Sequence, residues 1–117
     1  MTYPQRCLMR SHSKYNNHKI KKNGQKFDSK AEYYFYLALK QDSTVEKIIF
    51  QPCFPLIASF KKNGHTYRGI SYRADFDVRY KDGTRKIYDV KGFKTEVFKL
   101  KHKLFEYFYP DLHLELI

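Results

Sequence analysis

Residues 72–91 read YRADFDVRYKDGTRKIYDVK, and this stretch decides the fold of the chain. Apolar and polar residues alternate before and after Asp82-Gly83, a pattern that predicts two antiparallel strands joined by a tight turn. A two-residue loop would place Asp75 opposite Val90 and scatter the apolar residues over both faces. A three-residue loop, 81–83, with Gly83 in a left-handed bulge avoids this and is the connection that we predict.

The longer loop places Asp75 directly opposite Asp89 on the neighbouring strand. It also collects the apolar residues of both strands on one core face: Ala74, Phe76, Val78, Tyr88 and Val90. Two carboxylates about 5 Å apart at Cβ destabilise a sheet unless a cation lies between them. The register therefore predicts a metal site built on Asp75 and Asp89.

A hard divalent ion with oxygen ligands suits such a site, and Mg²⁺ is the ion that cells supply where phosphodiesters react, with Mn²⁺ as a substitute. Lys91 lies two residues after Asp89 and therefore on the same strand face. Its ammonium group could hold the attacking water or offset charge that develops on a phosphate. Asp75, Asp89 and Lys91 are thus the candidate catalytic group.

Three points about the acidic residues qualify this prediction. The acidic face could be an ordinary salt-bridged surface with Arg73, Arg79 and Arg85 as partners. Glu32 is a third candidate ligand, but Ser29-Lys30-Ala31-Glu32 also fits a capping box, in which Glu32 accepts from the Ser29 amide. Asp77 shares the face of Asp75 but pairs with Ile87, so it is expected at the surface.

The rest of the chain predicts a single α/β domain over 20–117 after a basic arm, 1–19. Turn signals at Asn23-Gly24 and Asn63-Gly64 predict further hairpins. Strands are expected over 45–51, 54–60, 67–80, 85–91 and 112–117. Together with two helices these elements predict a mixed central sheet with the helices packed on it.

The first helix is predicted to start at a cap on Asp28 or Ser29 and to end near Lys40. Its core stripe is expected to be Ala31, Tyr34, Phe35, Ala38 and Leu39. The second helix is predicted to start at Thr95 and to stop before Pro110. Its core stripe is expected to be Val97, Leu100, Leu104 and Phe108.

Charge indicates the partner. The chain has 23 Lys and Arg against 12 Asp and Glu, a formal net charge of +11, which favours a polyanion such as nucleic acid. The absence of C-x-x-C and H-x-x-x-H spacings argues against a zinc site. No apolar run reaches the roughly 18 residues of a membrane span, and the first residues lack a signal-type apolar core. We therefore expect a cytoplasmic protein that does not contact membranes.

At the acidic residues and Lys91 the chain resembles the PD-(D/E)XK nuclease superfamily, whose pattern is a helical glutamate, a strand aspartate and then (Asp/Glu)-x-Lys. Glu32, Asp75 and Asp89-Val90-Lys91 occur in that order, with Ala74 where the motif proline usually stands. More closely, residues 14–117 are similar to a family of short phage and prophage proteins likened to Holliday junction resolvases. Five segments carry this likeness: 27–32, 51–52, 72–76, 89–95 and 103–105.

The resemblance implies a restriction-endonuclease-like αβββαβ core and a metal-dependent DNA endonuclease. It implies that Asp75, Asp89 and the Val90 carbonyl bind Mg²⁺, that Glu32 binds or orients the ion, and that Lys91 assists the water. A homodimer acting on branched DNA in the cytoplasm of a phage host is the expected form. Candidate phosphate contacts are Lys14, Lys19, Lys21, Lys22, Lys94, Lys99, Lys101 and Lys103. The rival expectations are a non-catalytic nucleic-acid-binding module of the same fold and an RNA-binding protein that stacks bases on exposed tyrosines.

Overall fold

The computed structural model describes residues 20–22, 24–90 and 94–117, and the predicted arm, 1–19, lies outside the described residues. The described chain is a mixed α/β structure with two helices and a mostly antiparallel central sheet. Its elements are β1 (Ile20–Lys22), β2 (Gln25–Phe27), α1 (Lys30–Gln41), β3 (Val45–Phe50), β4 (Cys53–Ile57), β5 (Phe60–Lys62), β6 (His65–Tyr67), β7 (Ile70–Arg73), β8 (Phe76–Tyr80), β9 (Arg85–Asp89), α2 (Glu96–Phe108) and β10 (Leu114–Leu116).

The central sheet has the strand order β10-β9-β8-β3, with β10 parallel to β9 and the other pairs antiparallel. The predicted hairpin register is confirmed, because Phe76 pairs with Tyr88. The Tyr80 N–H donates to the Thr84 carbonyl at 2.8 Å, which closes the three-residue loop, and Gly83 has a φ of +92°. The turn residues therefore fix which side chains meet across β8 and β9.

The single long strand predicted over 67–80 is wrong, because the chain breaks twice there. The first break is at Gly69, where an added Cβ would lie 2.8 Å from the Ile57 carbonyl oxygen, so only glycine allows the two backbones to approach. The second break is at Asp75, between β7 and β8. The predicted strand 54–60 is likewise divided, into β4 and β5.

The break at Asp75 reverses the alternation of side chains. Tyr72 and Ala74 belong to one buried cluster, whereas Phe76 and Val78 belong to another. The Ala74 N–H donates to the Pro52 carbonyl at 3.1 Å instead of continuing the ladder toward β9. The prediction that Ala74 shares a face with Phe76 is therefore wrong.

Two hydrophobic cores result. The core that includes α2 contains Phe54, Leu56, Tyr72, Ala74, Ile87, Phe98, Phe105 and Tyr109. The core that includes α1 contains Phe27, Leu39, Phe76, Val78 and Tyr88, with Phe35, Tyr36 and Val90 packed against it. The central strands β8 and β9 are thus covered on both faces.

Helix α1 begins after Ser29, whose Oγ accepts from the Glu32 N–H at 3.1 Å, so the predicted cap is confirmed. Its predicted core stripe is only partly right. Phe35 and Leu39 face the core, but Ala31, Tyr34 and Ala38 are exposed. The inward positions are 32, 35, 36 and 39, so the stripe begins with a carboxylate, Glu32, instead of an apolar residue.

Helix α2 begins after Thr95, as predicted, but it buries a different face from the one expected. Phe98 and Phe105 are buried, with ring centroids 6.0 and 5.6 Å from that of Tyr72. These rings fill the space beside β7 and turn the predicted stripe outward: Val97, Leu100 and Phe108 are exposed, and Leu104 is half-buried. Neither helix of the described ranges is long and apolar enough to cross a membrane.

Candidate metal centre

Asp75 lies one residue beyond the last pair of the β8–β9 ladder, and its backbone is held on both sides. Its N–H donates to the Tyr88 carbonyl at 3.0 Å, and its carbonyl accepts from the Gln51 N–H at 2.9 Å. The Oδ2 atom of its side chain accepts from the Val90 N–H at 2.7 Å. The bend therefore aims the Asp75 carboxylate at the end of β9.

Asp89 is the last residue of β9, and only 1% of its surface is exposed. The Tyr72 hydroxyl donates a hydrogen bond to Asp89 Oδ2. The Asp89 carboxylate is close enough to Asp75 for its negative charge to raise the pKa of Asp75. Asp75 therefore lies near Asp89, as predicted, but it precedes β8 and does not face Asp89 as a pair in the ladder.

Glu32 is 3% exposed at the start of α1. Its Oε2 accepts from the Asp28 N–H at 3.3 Å, one residue earlier than the predicted partner, while Ser29 accepts from Glu32 in return. This resembles a capping box, except that Glu32 accepts from the residue before the cap and not from the cap itself. Carboxylate oxygens of Glu32, Asp28 and Asp75 also lie within 4.8 Å of one another.

Asp28 is the member of this group that sequence reasoning missed, because its position also suits a helix cap. Ser29 is the cap, and the half-buried Asp28 carboxylate faces Glu32 and Asp75 instead. Arg73 Nη2 lies 3.9 Å from its Oδ2. The available signal was the spacing of four residues between Asp28 and Glu32 across the start of a helix, which brings the two side chains together.

Crowding of buried carboxylates raises two pKa values. Burial and repulsion from Asp89 and from Glu32 raise the pKa of Asp75 to about 9, against the opposing effect of the hydrogen bond from the Val90 amide. Burial and repulsion from Asp28 raise the pKa of Glu32 to about 7. The cluster therefore retains protons near neutral pH and would release them to a cation.

The donors fit a hard divalent ion. Asp28, Glu32, Asp75 and Asp89, together called the acidic cluster, offer carboxylate oxygens, the ligand type that Mg²⁺, Mn²⁺ and Ca²⁺ prefer. Two of the four, Glu32 and Asp89, are nearly inaccessible to water. The triad of Asp28, Glu32 and Asp75 could hold such an ion, although its chemistry alone does not select Mg²⁺.

Tyr72 is a second residue that sequence reasoning missed. Burial and the neighbouring Asp89 carboxylate raise the pKa of its hydroxyl far above the ordinary value, so it remains a neutral donor. No register argument could pair Tyr72 with Asp89, because β7 pairs with β4 and β9 pairs with β8 and β10. The two residues meet because β7 bends out of line with β8 at Asp75.

The expectation that Asp77 lies at the surface is wrong. It is 2% exposed, and Arg85 binds it through Nε at 3.0 Å and Nη2 at 2.7 Å. The expectation assumes a sheet that is open on one side, whereas Ile87, opposite Asp77, lies in the α2 core. The arginine-paired alternative thus describes Asp77, while Asp75 and Asp89 accept hydrogen bonds from the Val90 amide and the Tyr72 hydroxyl.

The predicted lysines differ in their surroundings. Lys91, Lys14 and Lys19 lie outside the described residues, as does the side chain of Lys22. The exposed lysines are Lys21, Lys94, Lys99 and Lys103. Lys99 pairs with Glu96 at 3.2 Å, whereas Lys101 is half-buried and lines a groove with Val97, Leu100 and Leu104.

Comparison with known proteins gives a family without a known activity. No curated protein is significantly similar in sequence to this chain. A family model described as "Protein of unknown function (DUF1064)" matches residues 12–117, which include every residue of the acidic cluster. The chain therefore belongs to the DUF1064 family.

Proposed function

We propose that this protein is a metal-dependent DNA endonuclease that hydrolyses phosphodiester bonds. The observation that carries the proposal is the convergence of Asp28, Glu32 and Asp75, with Asp89 close to Asp75, where a helix start meets the ends of β8 and β9. A protein with a net charge of +11 has little structural reason to crowd four carboxylates in one place. A cation that also contacts a phosphate would account for both properties.

The order of the elements supports the same assignment. A helix carrying Glu32 is followed by the antiparallel pair β8 and β9, with Asp75 just before β8 and Asp89 at the end of β9, and then by a second helix and a strand parallel to β9. This order agrees with the αβββαβ core implied by the resemblance to PD-(D/E)XK nucleases. We therefore propose the restriction-endonuclease-like core as the fold and Asp75, Asp89, Glu32 and the Val90 carbonyl as the ligands.

Each side chain has a distinct part in this proposal. A divalent ion, Mg²⁺ or Mn²⁺, would supply charge neutralisation at the phosphate and a more acidic water. Asp75 and Asp89 would hold the ion, which would displace the proton that Asp75 retains near neutral pH, and Tyr72 would keep the Asp89 carboxylate in place. Glu32 orients the site from the first turn of α1. Lys91, which is outside the described residues, remains the predicted partner of the attacking water.

We propose branched DNA as the substrate and a homodimer as the active form. One small subunit touches few phosphates, whereas two related by symmetry place two sites on opposing strands of a junction. An apolar strip on α2, formed by Val97, Leu100 and Leu104, is available for such an interface. The exposed lysines contact the DNA backbone without reading bases.

The direct test is incubation of labelled four-way, forked and linear DNA with Mg²⁺, with Mn²⁺ and with EDTA. We expect cleavage with either metal, none with EDTA, and a preference for the branched forms. The rival assignment, a nucleic-acid-binding module without catalysis, predicts binding to the same DNAs and no product. Competition by RNA of equal length separates both from the RNA-binding alternative.

A further inference from the structure

Strands β5 and β6 form a hairpin whose six residues, Phe60–Lys62 and His65–Tyr67, are all exposed. Asn63 and Gly64 form its turn, and both have positive φ, at 52° and 72°, as a two-residue hairpin turn requires. A two-stranded hairpin is barely stable in water by itself. Its large apolar side chains are therefore of interest, because they contribute little to either core.

One face of the hairpin is a ring platform made by Phe60, Tyr67 and His65. Phe60 pairs with Tyr67 across the strands, with ring centroids 4.8 Å apart and planes 14° from parallel. The His65 ring meets the Tyr67 ring edge-on at 4.5 Å. Phe60 and Tyr67 are nevertheless 50% and 44% exposed, so the platform offers aromatic surface to a partner.

The charged residues nearest in sequence to the ring platform are all basic. Lys61 and Lys62 lie on β5, and Arg68 follows β6; all three are exposed. From Lys47 to Ala74 the sequence contains no aspartate or glutamate. A partner that complements this hairpin must carry negative charge and flat apolar rings together, and nucleic acid has both.

We propose that the β5–β6 hairpin stacks its ring platform on an unpaired or terminal base of DNA while its cations contact the adjacent phosphates. Base–aromatic stacking needs an open base face, which single strands, ends and branch points provide and continuous duplex does not. The hairpin thereby favours branched over continuous DNA. This inference rests on the proposed function only in taking DNA as the substrate.

Binding in EDTA tests the inference without any cleavage. Fluorescence anisotropy with forked DNA and with continuous duplex of equal length gives a ratio of affinities for each variant. Phe60→Ala and Tyr67→Ala should weaken fork binding about 5- to 100-fold, as loss of a stacked base does, and duplex binding less than about 2-fold. Tyr107→Ala, at an aromatic on α2 that is 76% exposed, should change neither.

The contribution of the basic residues of the hairpin is tested with a separate variant. Lys61→Gln combined with Lys62→Gln should weaken fork and duplex alike and lower the salt dependence of binding, because phosphate contacts are not selective. Equal loss on both DNAs in Phe60→Ala and Tyr67→Ala would instead show that the rings only support the hairpin, and would overturn the stacking proposal. Unchanged binding in both variants would also overturn it and indicate that the rings serve a protein partner.

A spectroscopic readout is available because the chain contains no tryptophan. Phe60→Trp places a single indole in the ring platform, and its emission should be strongly quenched by forked DNA and hardly changed by duplex. Emission unaffected by saturating forked DNA would contradict stacking. These binding measurements do not depend on nuclease activity. A negative result for the hairpin variants would overturn the stacking proposal without affecting the proposed nuclease function.

Discussion

The hydroxyl of Tyr72, on β7, donates a hydrogen bond to the carboxylate of Asp89 at the end of β9. Burial keeps the pKa of this hydroxyl far above its ordinary value, so Tyr72 holds Asp89 as a neutral donor over the whole physiological range. The Asp89 carboxylate in turn lies close enough to Asp75 to raise the pKa of Asp75. A tyrosine from a separate strand pair thus fixes one side of the proposed metal site.

Removal of that donor should weaken both the fold and the site. Tyr72→Phe is expected to lower the free energy of unfolding by about 1–3 kcal/mol, because a hydrogen bond to a buried carboxylate is lost. It should also raise the Mg²⁺ concentration needed for cleavage about 10- to 100-fold, as loss of a ligand's supporting partner does. Urea unfolding and a metal titration of activity measure the two effects.

Tyr80→Phe is the matched control for that variant. In the parent protein the Tyr80 hydroxyl forms a hydrogen bond at 2.6 Å with the Tyr88 hydroxyl and not with a residue of the acidic cluster. It should leave the metal requirement unchanged. An identical metal requirement in Tyr72→Phe and Tyr80→Phe would show that Tyr72 does not position Asp89 for metal binding.

Substitutions at Glu32 and Ser29 separate the role of Glu32 at the helix start from its proposed role in metal binding. Glu32→Gln keeps an oxygen that can accept from the Asp28 amide but removes a buried negative charge beside Asp28 and Asp75. We expect unchanged or higher thermal stability and cleavage reduced at least about 10-fold. Ser29→Ala removes the cap itself and should cost about 1 kcal/mol with activity intact. Normal cleavage by Glu32→Gln would limit Glu32 to the capping box.

The crowded carboxyls make the metal-free protein less stable as pH rises. The pKa of Asp75 is raised from 3.8 to about 9 and that of Glu32 from 4.5 to about 7. At pH values between the ordinary and the raised pKa values, the folded chain binds more protons than the unfolded chain. The stability that these groups contribute is therefore complete below about pH 4 and is lost progressively as the pH rises to about 9.

Thermal melts in EDTA at pH 5 and pH 9 measure this loss. The melting temperature of Asp75→Asn should fall less between pH 5 and pH 9 than that of the parent protein, because the variant lacks the group with the most strongly raised pKa. Mn²⁺ should raise the melting temperature of the parent more at pH 9 than at pH 5, because protons compete with the ion. Equal pH dependence in the parent and in Asp75→Asn would contradict the raised pKa of Asp75.

The exposed apolar strip on α2 is expected to form the dimer interface. Leu100 is 56% exposed, so Leu100→Glu should leave the fold intact while placing a charge in that contact. Analytical ultracentrifugation should show a dimeric parent and a monomeric variant. The control is Leu37→Glu, on the exposed side of α1. A monomeric parent protein would contradict the proposed dimer. A Leu100→Glu variant that remains dimeric would show that the dimer interface is not on this strip.

The hairpin register and both helix starts could be predicted from sequence because local chemistry determines them. Gly83 can adopt a positive φ, and Ser29 and Thr95 accept from amides three residues ahead. These features depend on residues close in sequence. They are enough to predict that Asp75 and Asp89 meet across the hairpin.

Features set by packing over long distances were predicted less well. The bend at Asp75 reverses the side-chain alternation, and nothing in Arg73-Ala74-Asp75-Phe76 departs from a strand pattern. The buried faces of both helices were misjudged because aromatic residues, among them Phe98 and Phe105, occupy the cores in preference to aliphatic ones. Asp77 was misplaced because its burial depends on Arg85 and on α2 covering the second face.

The central claim, that Asp75 and Asp89 hold a catalytic metal ion, is tested most directly by metal-dependent cleavage of labelled four-way DNA. We expect Asp75→Asn and Asp89→Asn each to lower the cleavage rate at least about 100-fold, as will Lys91→Ala, while metal-free DNA affinity stays level or rises. Asp82→Asn, an exposed carboxylate in the β8–β9 loop, should cleave normally. Cleavage by Asp89→Asn at the rate of the parent protein would contradict the account.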